Sequence, residues 1–293
     1  MLDSQTKLFG ILGNPLSHSL SPALHKYLLN EISQEGRYHS FEIKKNQLAD
    51  TINGIKADGF LGFNVTIPYK QTIIPHLSKM DEEAHFIGAV NTVHIQGNKL
   101  FGFNTDGQGF ISAVKKRRVQ PENFSAIVLG AGGAARAVIF NLIRCGVKKL
   151  FIFNRTLQRA ESLAMEVCKK FPSVGVDSGD SESKTISSAV GSHHLIINAT
   201  SLGMWPDIRK APYLFEEDAS GWVAIDLIYN PLQTKFLKSA QEAGAKTLDG
   251  LDMFIFQGAA SLRIWLGLEN GIEFNHEQLR NYLSRELEKY GHN

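Results

Sequence analysis

The stretch Ala126–Arg136, A-I-V-L-G-A-G-G-A-A-R, constrains this chain more than any other. Ile127-Val128-Leu129 is an apolar, largely β-branched run and reads as a buried strand. It stops at Gly130, where the pattern Gly130-x-Gly132-x-x-Ala135 begins. From Ala134 the apolar residues Ala134, Val138, Leu142 and Cys145 recur at helical spacing. Strand, glycine turn and helix in that order are the context in which a G-x-G-x-x-A pattern cradles a pyrophosphate. The first glycine permits the tight turn and the second admits the phosphates. The small residue in third place keeps helix and strand close, and the helix N-terminus offers unbonded N–H groups to the anion. A glycine turn that only packs a βα unit would look the same over these few residues, so the rest of the chain must decide.

The chain has 293 residues, enough for two domains with sizeable cores. Its 20% of charged residues and net charge of +2 leave no field that would gather nucleic acid or an anionic membrane. The basic run Lys115-Lys116-Arg117-Arg118 follows a helical stretch and reads as a dipole-favoured helix end. Cys145 and Cys168 each fall within an expected helix. They read as small core residues, with no disulfide framework or metal knuckle. No signal-peptide layout opens the sequence, and no apolar run approaches the ~20 residues of a membrane span. A cytoplasmic protein without nucleic-acid or membrane partners and without a metal is the expectation. A monomer and a homodimer agree with the sequence equally.

Taken in order, the first hundred residues alternate strand and helix. Lys7–Leu12 reads as a strand. Ser21-Pro22 reads as a helix start with Ser as cap, and Leu24, Tyr27, Leu28 and Ile32 form its inner face. A strand at 38–43, a helix at 47–55 and a strand at 60–66 follow, then a helix from about Lys70 to Pro75. Residues 89–103 read as a hairpin turning at Gly97-Asn98. After a helix at 107–118 comes the opening motif, a strand at 150–153, and a helix capped by Thr156. Its apolar face is Leu157, Ala160, Leu163, Ala164 and Val167. Ser173–Ser188, rich in Ser, Gly and Asp, reads as surface loop or ragged structure. Strands at 195–199 and 223–228 complete a βαβαβ layout. Two tail helices, Leu251–Leu266 and His276–Tyr290, are placed to return to the first domain. The expected architecture is α/β. Residues 1–106 with 250–293 form a discontinuous substrate domain, and 107–249 a Rossmann-type doubly wound domain, with a cleft between them.

Hydride-transfer chemistry needs an acid/base at an alcohol and groups that hold the substrate. Lys70, just past a strand end, and Asp106, at the head of a helix, are candidates. A lysine serves as a base where water is excluded and a carboxylate orients it. By spacing alone, a lysine after a turn is more often solvated and an aspartate before glycine more often a helix cap. Ser17 and Ser19 could hold a carboxylate, or could belong to an ordinary loop. The ten histidines, His193-His194 included, form no metal pattern. About twenty residues past the glycine turn, where an NAD enzyme usually carries an acid, stand Asn154-Arg155-Thr156. Arginine pairs with a 2′-phosphate that a carboxylate would repel, so the charge favours NADP.

These motifs together resemble the shikimate dehydrogenase family from about Lys7 to Gly267. Those that carry the resemblance are Gly10–Pro15 with Ser17–Pro22, Asn64–Lys70, Gly88–Thr92, Asn104–Gly107, Gly130–Arg136, Asn154–Thr156, Asn198–Met204, Asp226–Pro231 and Gln257–Ala259. The resemblance implies reversible NADP-linked oxidation of the shikimate 3-hydroxyl to 3-dehydroshikimate, run biosynthetically as the reduction toward chorismate and the aromatic amino acids. It implies Lys70 and Asp106 as the catalytic pair and Ser17 and Ser19 at the substrate carboxylate. Thr66, Asn91, Tyr229 and Gln257 fall near the ring hydroxyls. Cofactor contacts are implied for Gly130, Ala131, Gly132, Gly133, Ala134, Asn154, Arg155, Thr156, Leu157, Gln158, Arg159, Thr200, Leu227 and Gly250. The rival readings are a quinate/shikimate dehydrogenase using NAD, and a non-catalytic NADP-sensing protein on the same scaffold. Serine at position 19, where quinate-accepting relatives often carry threonine, speaks against the first. The presence of Lys70, Asp106, Ser17 and Ser19 speaks against the second.

Overall fold

A computed structural model of the chain describes residues 6–182, 186 and 194–290. It contains two compact units, Met1–Gly109 with Ile255–Asn293, and Phe110–Phe254.

The first unit is built on a six-stranded mixed sheet. Its strands are β1 (Lys7–Gly13), β2 (Gly36–Glu42), β3 (Gly62–Val65), β4 (Lys79–Met80), β5 (Thr92–Gln96) and β6 (Lys99–Phe103), in the order β2-β1-β3-β5-β6-β4. Strands β2, β1 and β3 are parallel. Strand β5 turns antiparallel to β3 and forms a hairpin with β6. The helices are α1 (Ser21–Glu31), α2 (Leu48–Ala57) and the short α3 (Glu82–Ile87). Leu48, Ile52 and Ile55 repeat at helical spacing along α2 and pack with Phe63, Val65 and Val93 of the sheet in one core. Helix α4 (Asp106–Lys116) carries the chain into the second unit.

Three local expectations give way here. No α-helix forms from Lys70. The segment is a series of turns with a 3-10 turn at Ile74–His76, because Pro75 lacks an N–H and obstructs a helical turn before it. Ser21 lies inside α1, not at its cap. Leu20 holds the cap position without a side-chain bond, and the Ser19 hydroxyl accepts the Ser21 N–H at 3.3 Å. The buried residues of α1 are Ser21, Leu24, His25, Leu28 and Leu29, with Tyr27 and Ile32 only half-buried. Helix α1 is covered on two sides, by β2 and by a tail helix, so its buried stripe is wider than a simple surface helix needs.

The second unit is a wholly parallel sheet. Its strands are β7 (Ser125–Leu129), β8 (Lys149–Phe153), β9 (Gly175–Gly179), β10 (His194–Asn198), β11 (Val223–Asp226) and β12 (Lys246–Leu248). They lie in the order β12-β11-β10-β7-β8-β9, that of a doubly wound dinucleotide fold. Among its helices are α5 (Gly133–Arg144), α6 (Leu157–Lys170) and α7 (Lys235–Glu242). Central strands covered on both faces need continuous apolar runs, and Ile127–Leu129, Leu195–Ile197 and Val223–Ile225 are all buried. Part of the stretch read as loop, Gly175–Gly179, is the edge strand β9, paired with β8. Its sequence G-V-D-S-G has no strand signal, and it forms by pairing with β8 beneath α6. Residues 183–185 and 187–188 of that stretch, and His193, lie outside the described residues. Neither cysteine is a core residue. Cys145 is half-buried at the end of α5, and Cys168 is exposed on α6. Leu157, read as core-facing, is exposed at the head of α6, and Thr156 caps that helix by position without a side-chain bond.

The tail forms α8 (Leu251–Leu266), which leads back to the first unit, and α9 (His276–Tyr290), which packs on α1. Among the described residues no helix is long and apolar enough to cross a membrane.

One buried group gives the first unit a pH signature. The His25 ring is fully buried and stacks on Tyr38, with centroids 4.3 Å apart and planes 7° from parallel. Burial pushes it down from 6.5 to about 3, against a smaller pull from the Asn64 side chain. The unfolded chain binds this proton below pH 6.5 and the folded chain does not until about pH 3. Stability is therefore complete above 6.5 and falls on acidification, by about 2 kcal/mol at pH 5. His25→Phe keeps the stacked ring and removes the titration. The unfolding free energy of wild type relative to this variant, measured in urea at pH 7.5 and pH 5, is expected to drop by about that amount. A difference independent of pH would show that the ring is not held neutral.

Candidate active site

In the first unit, two charges meet where the β5–β6 hairpin opens. Lys70 Nζ lies 2.5 Å from Asp106 Oδ2, the side chains being 16% and 6% exposed. Water is largely excluded from the pair, which strengthens it relative to a surface ion pair. The hairpin register Thr92↔Phe103 brings the residues just outside it, Asn91 and Asn104–Asp106, to one end. Asn91 Nδ2 donates to Asp106 Oδ1 at 2.8 Å and to Thr105 Oγ1 at 2.9 Å. Asn91 Oδ1 accepts from the Thr105 N–H at 2.8 Å and from the Thr92 hydroxyl at 2.9 Å. Both oxygens of Asp106 are thus engaged and the Asn91 amide can point only one way. Lys70 is held from behind, its carbonyl accepting the Val90 N–H at 2.8 Å. The structure brings Lys70, Asp106 and Asn91 together, with Gln257 Oε1 of α8 lying 3.4 Å from Asn91 Nδ2.

Beneath them is a polar layer that sequence reading misses. Asn64 donates to the hydroxyls of Thr92 and Ser261 at 3.2 and 3.0 Å and accepts from the Tyr38 hydroxyl at 2.7 Å. The Ser261 hydroxyl lies 2.8 Å from that of Thr92 and 3.2 Å from that of Thr105. The available signal is a polar residue inside an apolar string: Asn64 within β3, Ser261 within α8.

Ser17 and Ser19 sit on the loop after β1, exposed and half-buried respectively. The loop is anchored rather than free. Glu42 Oε2 accepts the Leu16 N–H at 2.6 Å, and Asn14 bonds the carbonyls of Ile67 and Ile43 through its backbone N–H and side-chain amide. Thr66, half-buried, belongs to the segment the loop is tied to. Among the described residues the hydroxyls of Ser17 and Thr66 take no hydrogen-bond partner, so both are available to a ligand. Tyr229 belongs to the second unit, where its ring packs on Phe254 at 4.4 Å.

In the second unit the chain crosses from one side of the sheet to the other between β7 and β10. Ligands of doubly wound folds bind at the carboxyl ends of the strands beside such a switch point. Gly130 ends β7 with φ +117°, and a Cβ there would lie 3.0 Å from the Ala199 carbonyl oxygen at the end of β10. Only glycine fits both restrictions. Gly132 precedes α5, and a Cβ on it would meet no protein atom within 4 Å. Helix α5 begins Gly133-Ala134, without a side-chain cap and without an acid in its first turn, so its N–H groups and dipole face open space. Thr200 follows β10, held by Asn198. Asn154 to Thr156 follow β8, and Leu157 to Arg159 open α6. Arg155 and Arg159 are exposed and pair with no carboxylate among the described residues. Leu227 follows β11, and Gly250 lies so close to its carbonyl that no side chain fits. Open turn, uncapped helix start and two free arginines fit a dinucleotide bearing an extra phosphate. No group of metal-binding side chains occurs among the described residues.

The two glycines should separate experimentally. Gly130→Ala is expected to cost about 1–3 kcal/mol of stability in chemical unfolding. Gly132→Ala meets no protein atom and should keep wild-type stability, with any loss confined to dinucleotide binding.

Comparison with known proteins agrees along the chain. Residues 11–93 match the family model described as shikimate dehydrogenase substrate binding domain, and residues 113–217 that of shikimate / quinate 5-dehydrogenase. The NADP(+) shikimate dehydrogenase of Bacillus subtilis strain 168 is 42% identical, over 91% of this chain and 94% of its own. A crystal structure of a shikimate dehydrogenase in complex with NADP+ superposes with a TM-score of 0.85 at 37% identity, covering 98% of each chain. One from Thermus thermophilus, in complex with NADP(H) and shikimate, gives 0.80 at 34% identity over 97% of this chain and 99% of its own. At this identity and coverage, the chain belongs to the shikimate dehydrogenase family.

Proposed function

We propose that the chain catalyses the reversible NADPH-linked reduction of 3-dehydroshikimate to shikimate, on the route to chorismate and the aromatic amino acids. The observation that carries this reading is the water-poor Lys70–Asp106 pair oriented by Asn91. The first unit is read as the substrate domain and the second as the NADP domain. When bound, the nicotinamide supplies or accepts the hydride. The phosphates are read onto Gly130–Ala134 and the α5 N-terminus, with Thr200, Leu227 and Gly250 at neighbouring strand ends. The 2′-phosphate falls to Arg155 and Arg159, beside Asn154, Thr156, Leu157 and Gln158.

The proton chemistry follows from the first unit's geometry. In the reduction, the Lys70 ammonium donates its proton to the oxygen developing at C3 of the ring. In the oxidation, the amine takes it back. Asp106 keeps Nζ aimed at that oxygen and stabilises the ammonium. Asn91 holds Asp106, so the carboxylate cannot swing toward solvent. Ser17 and Ser19 take the substrate carboxylate. Thr66, Asn91, Tyr229 and Gln257 take the ring hydroxyls. Cys145 and Cys168, both free thiols, suit a reducing cytoplasmic setting.

Lys70→Ala is expected to lower kcat by about 10²–10⁴ at saturating shikimate and NADP, the share general acid–base catalysis supplies. Unchanged turnover would remove Lys70 from the mechanism. Arg155→Ala should weaken NADP about tenfold, near 1.4 kcal/mol, while changing NAD little. Comparing kcat/KM for shikimate with NADP, shikimate with NAD, and quinate tests the substrate assignment. A preference for NAD or for quinate would overturn it.

A further inference from the structure

Asp226, the last residue of β11, is completely buried and takes no part in the chemistry above. Its Oδ1 accepts from the Ile228 N–H and from Asn198 Nδ2, each at 3.0 Å. Its Oδ2 accepts the Thr234 hydroxyl at 2.7 Å. No cation pairs with it among the described residues. Thr234 caps α7, its Oγ1 also accepting the Leu237 N–H at 3.2 Å. Asn198 is the intermediary. Its other amide proton reaches the Leu202 carbonyl at 3.2 Å, and its Oδ1 accepts the Thr200 N–H at 3.0 Å and the Thr200 hydroxyl at 2.7 Å. The Leu227 N–H donates to the Asn198 carbonyl at 3.0 Å.

One carboxylate therefore sets two loops, 198–202 and 226–228, at the carboxyl edge beside the switch point. Burying a charge with no counter-charge is costly, and three neutral donors offset that cost only in part. In return, an ionised carboxylate accepts from three segments at once, which a neutral acid or amide of the same shape cannot do. We propose that Asp226 is a positioning residue for NADP, acting through Asn198 to hold Thr200 and directly to hold the backbone beside Leu227. The proposal rests on the reading above that NADP binds at this edge.

The environment also makes the arrangement sensitive to pH. Burial pushes Asp226 up to about 6, with Asp249 of the segment after β12 adding like charge, while the bonds from Thr234, Ile228 and Asn198 pull it back. Those three are uncharged. Protonation removes one acceptor site, and Asp226→Asn imitates the protonated form in the same volume.

The test is the NADPH dissociation constant of wild type and Asp226→Asn, by nucleotide fluorescence from pH 8 to pH 5. We expect the variant to bind about tenfold more weakly at pH 8, within the range for residues that act through others. The ratio should fall toward one by pH 5, where wild type is itself protonated. The cofactor's 2′-phosphate titrates in both proteins and cancels in the ratio. Thr234→Val removes a bond that favours the carboxylate, so the pH at which NADPH binding weakens should move upward. Thr234→Ser should restore it. A ratio of one at pH 8, or a ratio constant with pH, would overturn the proposal. Should Asp226→Asn fail to fold, the Thr234 pair decides, and the absence of an upward move overturns it. Failure of wild type to bind NADPH at all would instead overturn the placement of the cofactor.

Discussion

The buried carboxylate of Asp106 is the constraint on which the candidate site depends. With Lys70 on one oxygen and Asn91 on the other, its charge is compensated without water. Remove one partner and a nearly buried charge is left short, a loss of about 3–5 kcal/mol for pairs of this kind. The arrangement is therefore all or nothing, and the surrounding fold supplies it. Sheet direction reverses at β3–β5, and only an antiparallel hairpin closed by a short turn brings Asn91 and Asp106 back to the same end. Asn64, Thr92, Thr105 and Ser261 then satisfy the groups that face inward, so the layer under the charges has a hydrogen bond for each amide and hydroxyl.

The second unit meets a different demand with a different sheet. A phosphate needs no single side chain in a fixed pose. It needs backbone N–H groups left unbonded and room for the anion. A parallel sheet with right-handed crossovers leaves helix starts at one edge, and small residues there keep the space open. Gly130 and Gly132 show two distinct uses. The first is required by protein atoms already present, the second by those of a ligand. Arg155 and Arg159 add charge at the end of β8 without being tied to it, as suits a group that must meet a mobile phosphate.

Much of this is legible in the sequence because the relevant signals are local. Ala126–Arg136 carries strand, turn and helix within eleven residues, and the structure forms them as β7 and α5. Lys70 and Asp106 can be singled out as candidates, but nothing in their 36-residue separation shows that they touch. That contact is set by hairpin register, which spacing does not encode. Asn64 and Ser261 are separated by 197 residues, and each looks like an isolated polar residue in an apolar element. Strand β9 and the turns after Lys70 fail for the opposite reason. The local pattern is plain in both, but edge pairing overrides it in one case and Pro75 in the other.

Each unit also buries a titratable group that no opposite charge offsets among the described residues, His25 in the first and Asp226 in the second, and the two respond to acid in opposite senses. His25 is held neutral with its value lowered to about 3, so the first unit loses stability as pH falls from 6.5. Asp226 has its value raised to about 6, so between there and the ordinary carboxylate value of 3.8 the folded chain binds the proton more readily than the unfolded one. The second unit gains stability over that window, by linkage of the reverse sign. A global melting curve sums these two opposed contributions with those of every other titrating group, so neither stands out in it. What the second unit gains in stability there comes from neutralising the carboxylate that orders its strand-end loops. A drop in cofactor affinity with no drop in melting temperature is therefore the physical signature of a charge kept for geometry and not for stability.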